Sequence, residues 1–335
     1  MHLNPSVISQ QAGQNLSRVS YCPKKLMLIH QGVVFAVTLL LTALTFYIDG
    51  MLDDMGGLSA MGQQAVWSTV QVMLELAVLI FLPLWQISLV YVAMKWNRGE
   101  TADTGDLLQG LRRFGAVLRL RLIEGIFFLV LALAVCNIGS VLFVLTPFSD
   151  ELLETMKPVL EQMEDPMQSE LTVAPELMEQ IMEKSLPLLV FCGVLCAVAF
   201  VLVFYRIRFA DYGVMEGKGA IRSLLESVRC THKNVLQVAK VDLFFWWFYL
   251  LQLLCVAVSY YGDTLLPMVG ISLPFSADVS YFVFYILGAL VQLLLVWLFQ
   301  ARVSTAYAGA WQALSEDTPE AKNPAGEKFN WEQRY

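Results

Sequence analysis

Apolar residues dominate six stretches, each of about twenty positions or more, at 26–48, 65–94, 125–145, 186–204, 241–261 and 280–300. Such a run is long enough to cross a hydrocarbon layer of about 30 Å as a helix. No water is available there to satisfy backbone groups, so the helix is the natural spanning form. The pattern predicts an all-α, polytopic transmembrane bundle of about six spans. The stretch 65–94 exceeds one crossing and contains Pro83, which predicts a tilt, a kink or an extension beyond the bilayer. The first run is too long for the core of a cleavable signal, and no small-x-small site follows Ile48, so it reads as a span.

Between the spans the spacing of apolar residues changes. Leu107, Leu108, Leu111, Phe114, Val117 and Leu118 recur at helical spacing, with Arg112 and Arg113 off the stripe. Ile221, Leu224, Leu225, Val228, Val235 and Leu236 do the same, with Arg222, Arg229 and Lys233 on the polar side. Both segments read as amphipathic helices lying along a membrane surface. They also align with each other, Leu107 to Arg112 against Leu224 to Arg229, as a parallel repeat of span, surface helix and span would. A third stripe, Leu152, Leu153, Met156, Val159, Leu160 and Met163, lies in an acidic segment broken by Asp165-Pro166. With Leu177, Met178, Ile181 and Met182 it predicts an acidic helical hairpin over 146–185. The organisation expected is an N-terminal segment 1–25, a single six-helix membrane domain 26–314 and a polar tail 315–335.

Composition agrees. The chain is 57% hydrophobic and 15% charged, against roughly 45–50% and 25% in soluble domains. Charge sets the orientation. Twenty of the 22 Lys and Arg residues fall in the N-terminal segment, the second and fourth loops and the C-terminal tail. The third loop holds ten acidic residues against Lys157 and Lys184. The positive-inside rule then predicts a plasma-membrane protein with both termini cytoplasmic and the acidic hairpin outside. The expected partner is the lipid bilayer, with no nucleic acid. The basic residues Arg112, Arg113, Arg222, Arg229 and Lys233 are candidates for contact with anionic lipid.

Catalytic and metal patterns are missing from the sequence. The three histidines, His2, His30 and His232, form no H-E-x-x-H pair, and there is no G-x-S-x-G elbow or G-x-x-x-x-G-K-[ST] loop. Cys136, Cys192, Cys196 and Cys255 lie inside spans and none of the six cysteines lies in an outside loop, so no structural disulfide is expected. Cys192 and Cys196, four apart, read as small-residue packing rather than a metal pair, and the methionines of the acidic hairpin as a packing face rather than a copper site. No cofactor is expected. Polar groups inside spans are the default functional candidates. Here they are Asn137, Gln252 and Gln292 at depth, with Glu75 near an interface. Glu124 and Asp242 read as interfacial carboxylates near helix N-termini.

Asn97-Arg98-Gly99-Glu100, then Asp106-Leu107-Leu108 and Arg113-Phe114-Gly115, resemble a bacterial multi-pass family numbered nine-seven-five among the domains of unknown function. The run Val241-Asp242-Leu243-Phe244-Phe245-Trp246-Trp247 is similar to that family's aromatic re-entry into the membrane. The acidic hairpin is longer than the family's, and its Pro-Gly turn after the third span is missing. The resemblance implies an integral membrane protein and no activity. The sequence thus leads to a non-enzymatic accessory, scaffold or lipid-contacting membrane protein, with a small-solute or lipid transporter as the alternative.

Overall fold

The computed structural model describes residues 3–53, 58–146, 148–164, 175–268 and 277–316. Those residues are helical throughout their ordered elements, with no strand among them. The order is α1 (Pro5–Arg18), α2 (Pro23–Asp53), α3 (Leu58–Asn97), a 3₁₀ turn (Thr104–Leu108), α4 (Gln109–Arg112), α5 (Phe114–Phe143), α6 (Phe148–Glu164) and α7 (Pro175–Ile207). Then come α8 (Ala210–Met215), α9 (Ala220–Thr231), α10 (Val235–Phe244), α11 (Trp246–Met268), α12 (Ala277–Leu295), a π turn (Val296–Gln300) and α13 (Ala301–Glu316). Five helices are long and apolar enough to cross a membrane, and the bent pair α10–α11 makes a sixth if counted as one span. The expected polytopic helical bundle is the observed architecture.

Contacts fall into two compact units. Unit one comprises 1–120 and 208–335, and unit two comprises 121–207. The expected tail, from Ser315, lies outside the described residues beyond Glu316.

Unit one is held together at the helix ends that carry its basic residues. The N-terminal segment belongs to this core. Asn4 caps α1 by accepting from the Ser6 N–H at 3.2 Å, and Pro5 occupies the first turn, where its missing N–H costs nothing. Arg302 Nε on α13 donates to the backbone carbonyl and hydroxyl of Ser9, at 3.2 and 3.0 Å. Asn15 Nδ2 donates to the Asn97 carbonyl at 2.8 Å, and Asn97 Nδ2 to Gln312 Oε1 at 2.7 Å. Around these bonds Leu26, Met27, Trp85, Val92, Trp96, Leu107, Val296 and Ala301 are buried as one cluster. His30 and Trp85 lock α2 to α3, their rings stacked at 5.4 Å and Trp85 Nε1 donating to the His30 carbonyl at 3.1 Å.

The second loop is built into this core. Asp103 and Asp106 form a reciprocal capping box, and Lys95 Nζ pairs with Asp106 at 2.9 Å. Gly110 then lies directly on α3, its N–H donating to Ser88 Oγ at 2.9 Å. Leu107 and Val117 are buried, while Leu108 and Phe114 stay exposed. Leu111 and Leu118 are half-buried, so the stripe is divided between contact with the protein and an open face. The two aligned segments of the expected repeat differ in local structure. Residues 107–112 are a 3₁₀ turn and one α turn, whereas 224–229 lie within the regular helix α9.

α10 and α11 meet at 62°, with no proline at the break. The Phe245 N–H reaches the carbonyls of Val241 and Asp242, at 3.2 and 3.0 Å, so the turn tightens there. Phe245 and Phe248 are buried on its inner side.

In unit two, α5 and α7 run antiparallel. Phe128 stacks on Phe200 at 4.3 Å, Cys136 meets Cys196, and Gly139 meets Cys192. α6 and the start of α7 form the expected hairpin, joined by Lys184 and Glu151 at 2.7 Å. Most of the apolar surface of α5 and α7 is uncovered, with only 11% and 6% of their span windows buried. That is the surface expected of helices bathed in lipid.

Gly110 provides a test of the packing. A Cβ there would lie 1.9 Å from the Leu84 carbonyl oxygen, which belongs to backbone and cannot move aside, whereas a Cβ on Gly115 meets nothing within 4 Å. Gly110→Ala is expected to destabilise the protein by about 1–3 kcal/mol or more. Gly115→Ala is expected to be neutral or stabilising by up to about 1 kcal/mol. Unfolding of the two variants in detergent, compared with the parent, checks this.

Candidate functional site

Helix α9 presents three faces. Successive residues turn by roughly 100°, which puts Ser223, Ser227, Cys230 and Thr231 on one side, Ile221, Leu225 and Val228 on the next, and Arg222, Glu226 and Arg229 beyond them. The small polar face is the buried one. Ser223 lies against Gly213 of α8, where a Cβ would come within 2.8 Å. Ser227 Oγ accepts from the Phe209 N–H at 3.1 Å, and Thr231 Oγ1 donates to the Ser227 carbonyl at 2.8 Å. Each buried hydroxyl has a partner, which removes the usual cost of burying it. The apolar face is turned outward, with Ile221 65% and Leu225 55% exposed. A soluble helix would bury those residues and expose the serines. This arrangement suits a helix with protein on one side and an apolar phase on another.

Charged side chains moor α9. Lys218 Nζ bonds Glu216 at 2.7 Å and Glu226 at 2.6 Å. Burial works against its charge, but the two carboxylates outweigh that and hold the ammonium above the usual lysine range. Trp311 Nε1 donates to Glu216 at 3.2 Å. Arg113 Nη1 donates to the Val214 carbonyl at 2.7 Å, closing the end of α8.

A second cluster surrounds Asp242 at the end of α10. One carboxylate oxygen accepts from Arg208 and the other from the Tyr307 hydroxyl, whose oxygen lies 2.8 Å from that of Tyr249 and accepts its proton. The Arg208 guanidinium also lies over the Tyr307 ring, 4.4 Å from its centre. The side chains of Arg208 and Asp242 are only 16% and 17% exposed. A buried pair of this kind stabilises poorly on its own account, but losing one partner strands the other.

The sequence candidates fall in different places. Arg112, Arg222 and Lys233 are exposed, Arg229 is exposed and engaged in further contacts, and Arg113 is occupied by Val214. Asn137 is exposed and donates to the Leu133 carbonyl of its own helix at 2.7 Å. Glu75 is exposed and accepts from Gln71 at 3.3 Å. Gln252 is half-buried. Gln292 lines a hollow of about 160 Å³, with Gln31, Thr38, Ser259, Tyr260 and Tyr285 among its walls. Glu124 pairs with Arg121 at 2.6 Å on its own helix. Among the described residues no group of three or more His, Cys, Asp or Glu side chains could hold a metal.

The sequence points to Asp242 but not to its ligands. Arg208 counts there only as a positive-inside charge, and neither Tyr249 nor Tyr307, which lies beyond the last apolar run, stands out. The available signal is Tyr307 within an alanine-rich stretch, 301–310, where a large polar ring has to be accommodated.

The Asp242 cluster predicts a stability pattern. Asp242→Asn leaves Arg208 buried without its counter-ion and is expected to cost about 3–5 kcal/mol, whereas Arg208→Met with Asp242→Leu should recover most of that loss. Tyr249→Phe removes one hydrogen bond, worth about 1 kcal/mol. A double-mutant cycle measured by unfolding in detergent checks the order. No family model, curated protein or solved structure matches the chain, so its residues alone carry the functional reading.

Proposed function

We propose that the chain is a non-enzymatic integral protein of a bacterial plasma membrane, an accessory or scaffold component that contacts anionic lipid through α9 and its flanks. The observation that carries this reading is the outward apolar face of α9 beside exposed Arg222 and Arg229, continued by Leu236, 79% exposed, and Lys233. Covering an exposed Ile or Leu side chain contributes about 1.5–3 kcal/mol. A basic residue near an anionic leaflet adds on the order of 1 kcal/mol. The helix is already ordered by its serine face, so little conformational freedom is lost on contact.

A small-solute or lipid transporter is the second reading, favoured by the hollow at Gln292. Gln31 and Gln292 bring carboxamides to its wall, and its lining residues carry no charge. A neutral polar solute would suit that lining. The first reading is preferred because the hollow is small and does not reach Gln252.

Two measurements test the proposal. An environment-sensitive fluorophore at Leu225 should be quenched by lipids with mid-chain quenchers, more strongly in anionic than in zwitterionic nanodiscs. Equal, negligible quenching in both would remove the lipid contact. The basic residues also predict orientation. A reporter fused after Tyr335 should read cytoplasmic and one inserted beside Pro166 should read outside, and the reverse pair would contradict it.

A further inference from the structure

The two thiols of Cys136 and Cys196 face each other across the α5–α7 hairpin with their sulfurs 3.6 Å apart. Both are free. The contact lies between two others that close the hairpin, the Phe128–Phe200 stack and the Gly139–Cys192 crossing. At the crossing a Cβ on Gly139 would stand 2.9 Å from Cys192 Sγ and 3.8 Å from its Cα, so the two backbones nearly touch one turn from the thiol pair. A disulfide requires Cα atoms no more than about 7 Å apart, a condition few pairs on neighbouring helices meet. Gly139 brings the two backbones together at the neighbouring crossing, and the sulfurs of Cys136 and Cys196, 3.6 Å apart, need to close by only about 1.5 Å to reach bonding distance.

Depth decides the chemistry. α5 carries no charge from Gly125 to Phe143, and α7 none between Lys184 and Arg206. Cys136 is roughly 18 Å along the helix from Glu124, near the middle of a hydrocarbon layer. A thiolate is disfavoured in such surroundings. An oxidant that works there must dissolve in lipid and take up protons together with electrons, so that no charge is left behind.

We propose that Cys136 and Cys196 form a membrane-embedded dithiol oxidised by a lipid-soluble quinone. Two S–H bonds break and one S–S bond forms. The two electrons and two protons pass to the quinone oxygens, giving the quinol, and both products are neutral. The reaction is stoichiometric, one quinone for each hairpin, and it fixes the crossing of α5 and α7. Cys192 stays outside the bond. It approaches the Cys136 carbonyl, at 4.0 Å, and packs against Gly139.

The test uses the full chain in nanodiscs loaded with decylubiquinone, with free thiols counted by maleimide mass shift and the quinol followed by absorbance. The expected result is loss of two thiols per chain, one quinol formed for each pair, reversal by dithiothreitol, and a Cys136–Cys196 cross-linked peptide. Cys192→Ser should behave as the parent, and Cys136→Ser and Cys196→Ser should lose none. An unchanged thiol count with the quinone overturns the proposal. So does a cross-link made through Cys192, or oxidation that occurs only with the water-soluble reagent diamide. Where a serine variant fails to fold, the thiol count and the cross-linked peptide of the parent protein still separate these outcomes.

Discussion

A carboxylate taken out of water must find cations and donors nearby, and Asp242 finds them in Arg208 and Tyr307. These come from chain segments far apart in sequence, the residue just past α7 and the middle of α13. Satisfying one buried charge therefore ties three parts of unit one together. The tightened turn at Phe245 and the 62° bend follow directly after the ligated residue. The bend directs α11 away from α10, and α10 is preceded by α9 with its serine face on α8. The outward direction of Ile221 and Leu225 is thus a consequence of packing decided by polar groups.

The spans were legible because a hydrocarbon layer imposes one strong rule on length and composition. Five of the expected runs appear as long apolar helices, and the sixth, 241–261, appears as the α10–α11 pair with a bend the apolar pattern gave no hint of. The polar cluster beside the bend has no local signal, because the partners of Asp242 lie 34 and 65 residues away. The two apolar stripes show the same limit. Their periodicities look alike, yet Leu107 and Val117 are buried and Ile221 and Leu225 are exposed. Periodicity reports that a face is apolar and leaves open whether protein or lipid covers it. Gly110 made the difference in the first case, since its lack of a side chain lets the loop lie on the α3 backbone.

The candidate site was legible as residue types and not as an assembly. Arg222, Arg229 and Lys233 lie off the apolar stripe, as the spacing predicts, but Arg113 serves α8 instead. Asn137 bonds the Leu133 carbonyl one turn back on its own helix rather than a neighbouring helix. Gln292 lines a hollow whose walls come from three helices, which no local pattern announces. What remains as a coherent surface is α9, ordered by buried hydroxyls and moored by Lys218, Glu216 and Trp311, with its apolar side uncovered.

The most direct test of that surface is backbone hydrogen exchange of α9, residues Ala220–Thr231, in the full chain reconstituted in anionic and in zwitterionic nanodiscs at low salt. Contact with an anionic leaflet predicts greater protection in the anionic discs, with the difference reduced as salt screens the basic residues. Equal protection in both lipids, unchanged by salt, would contradict it.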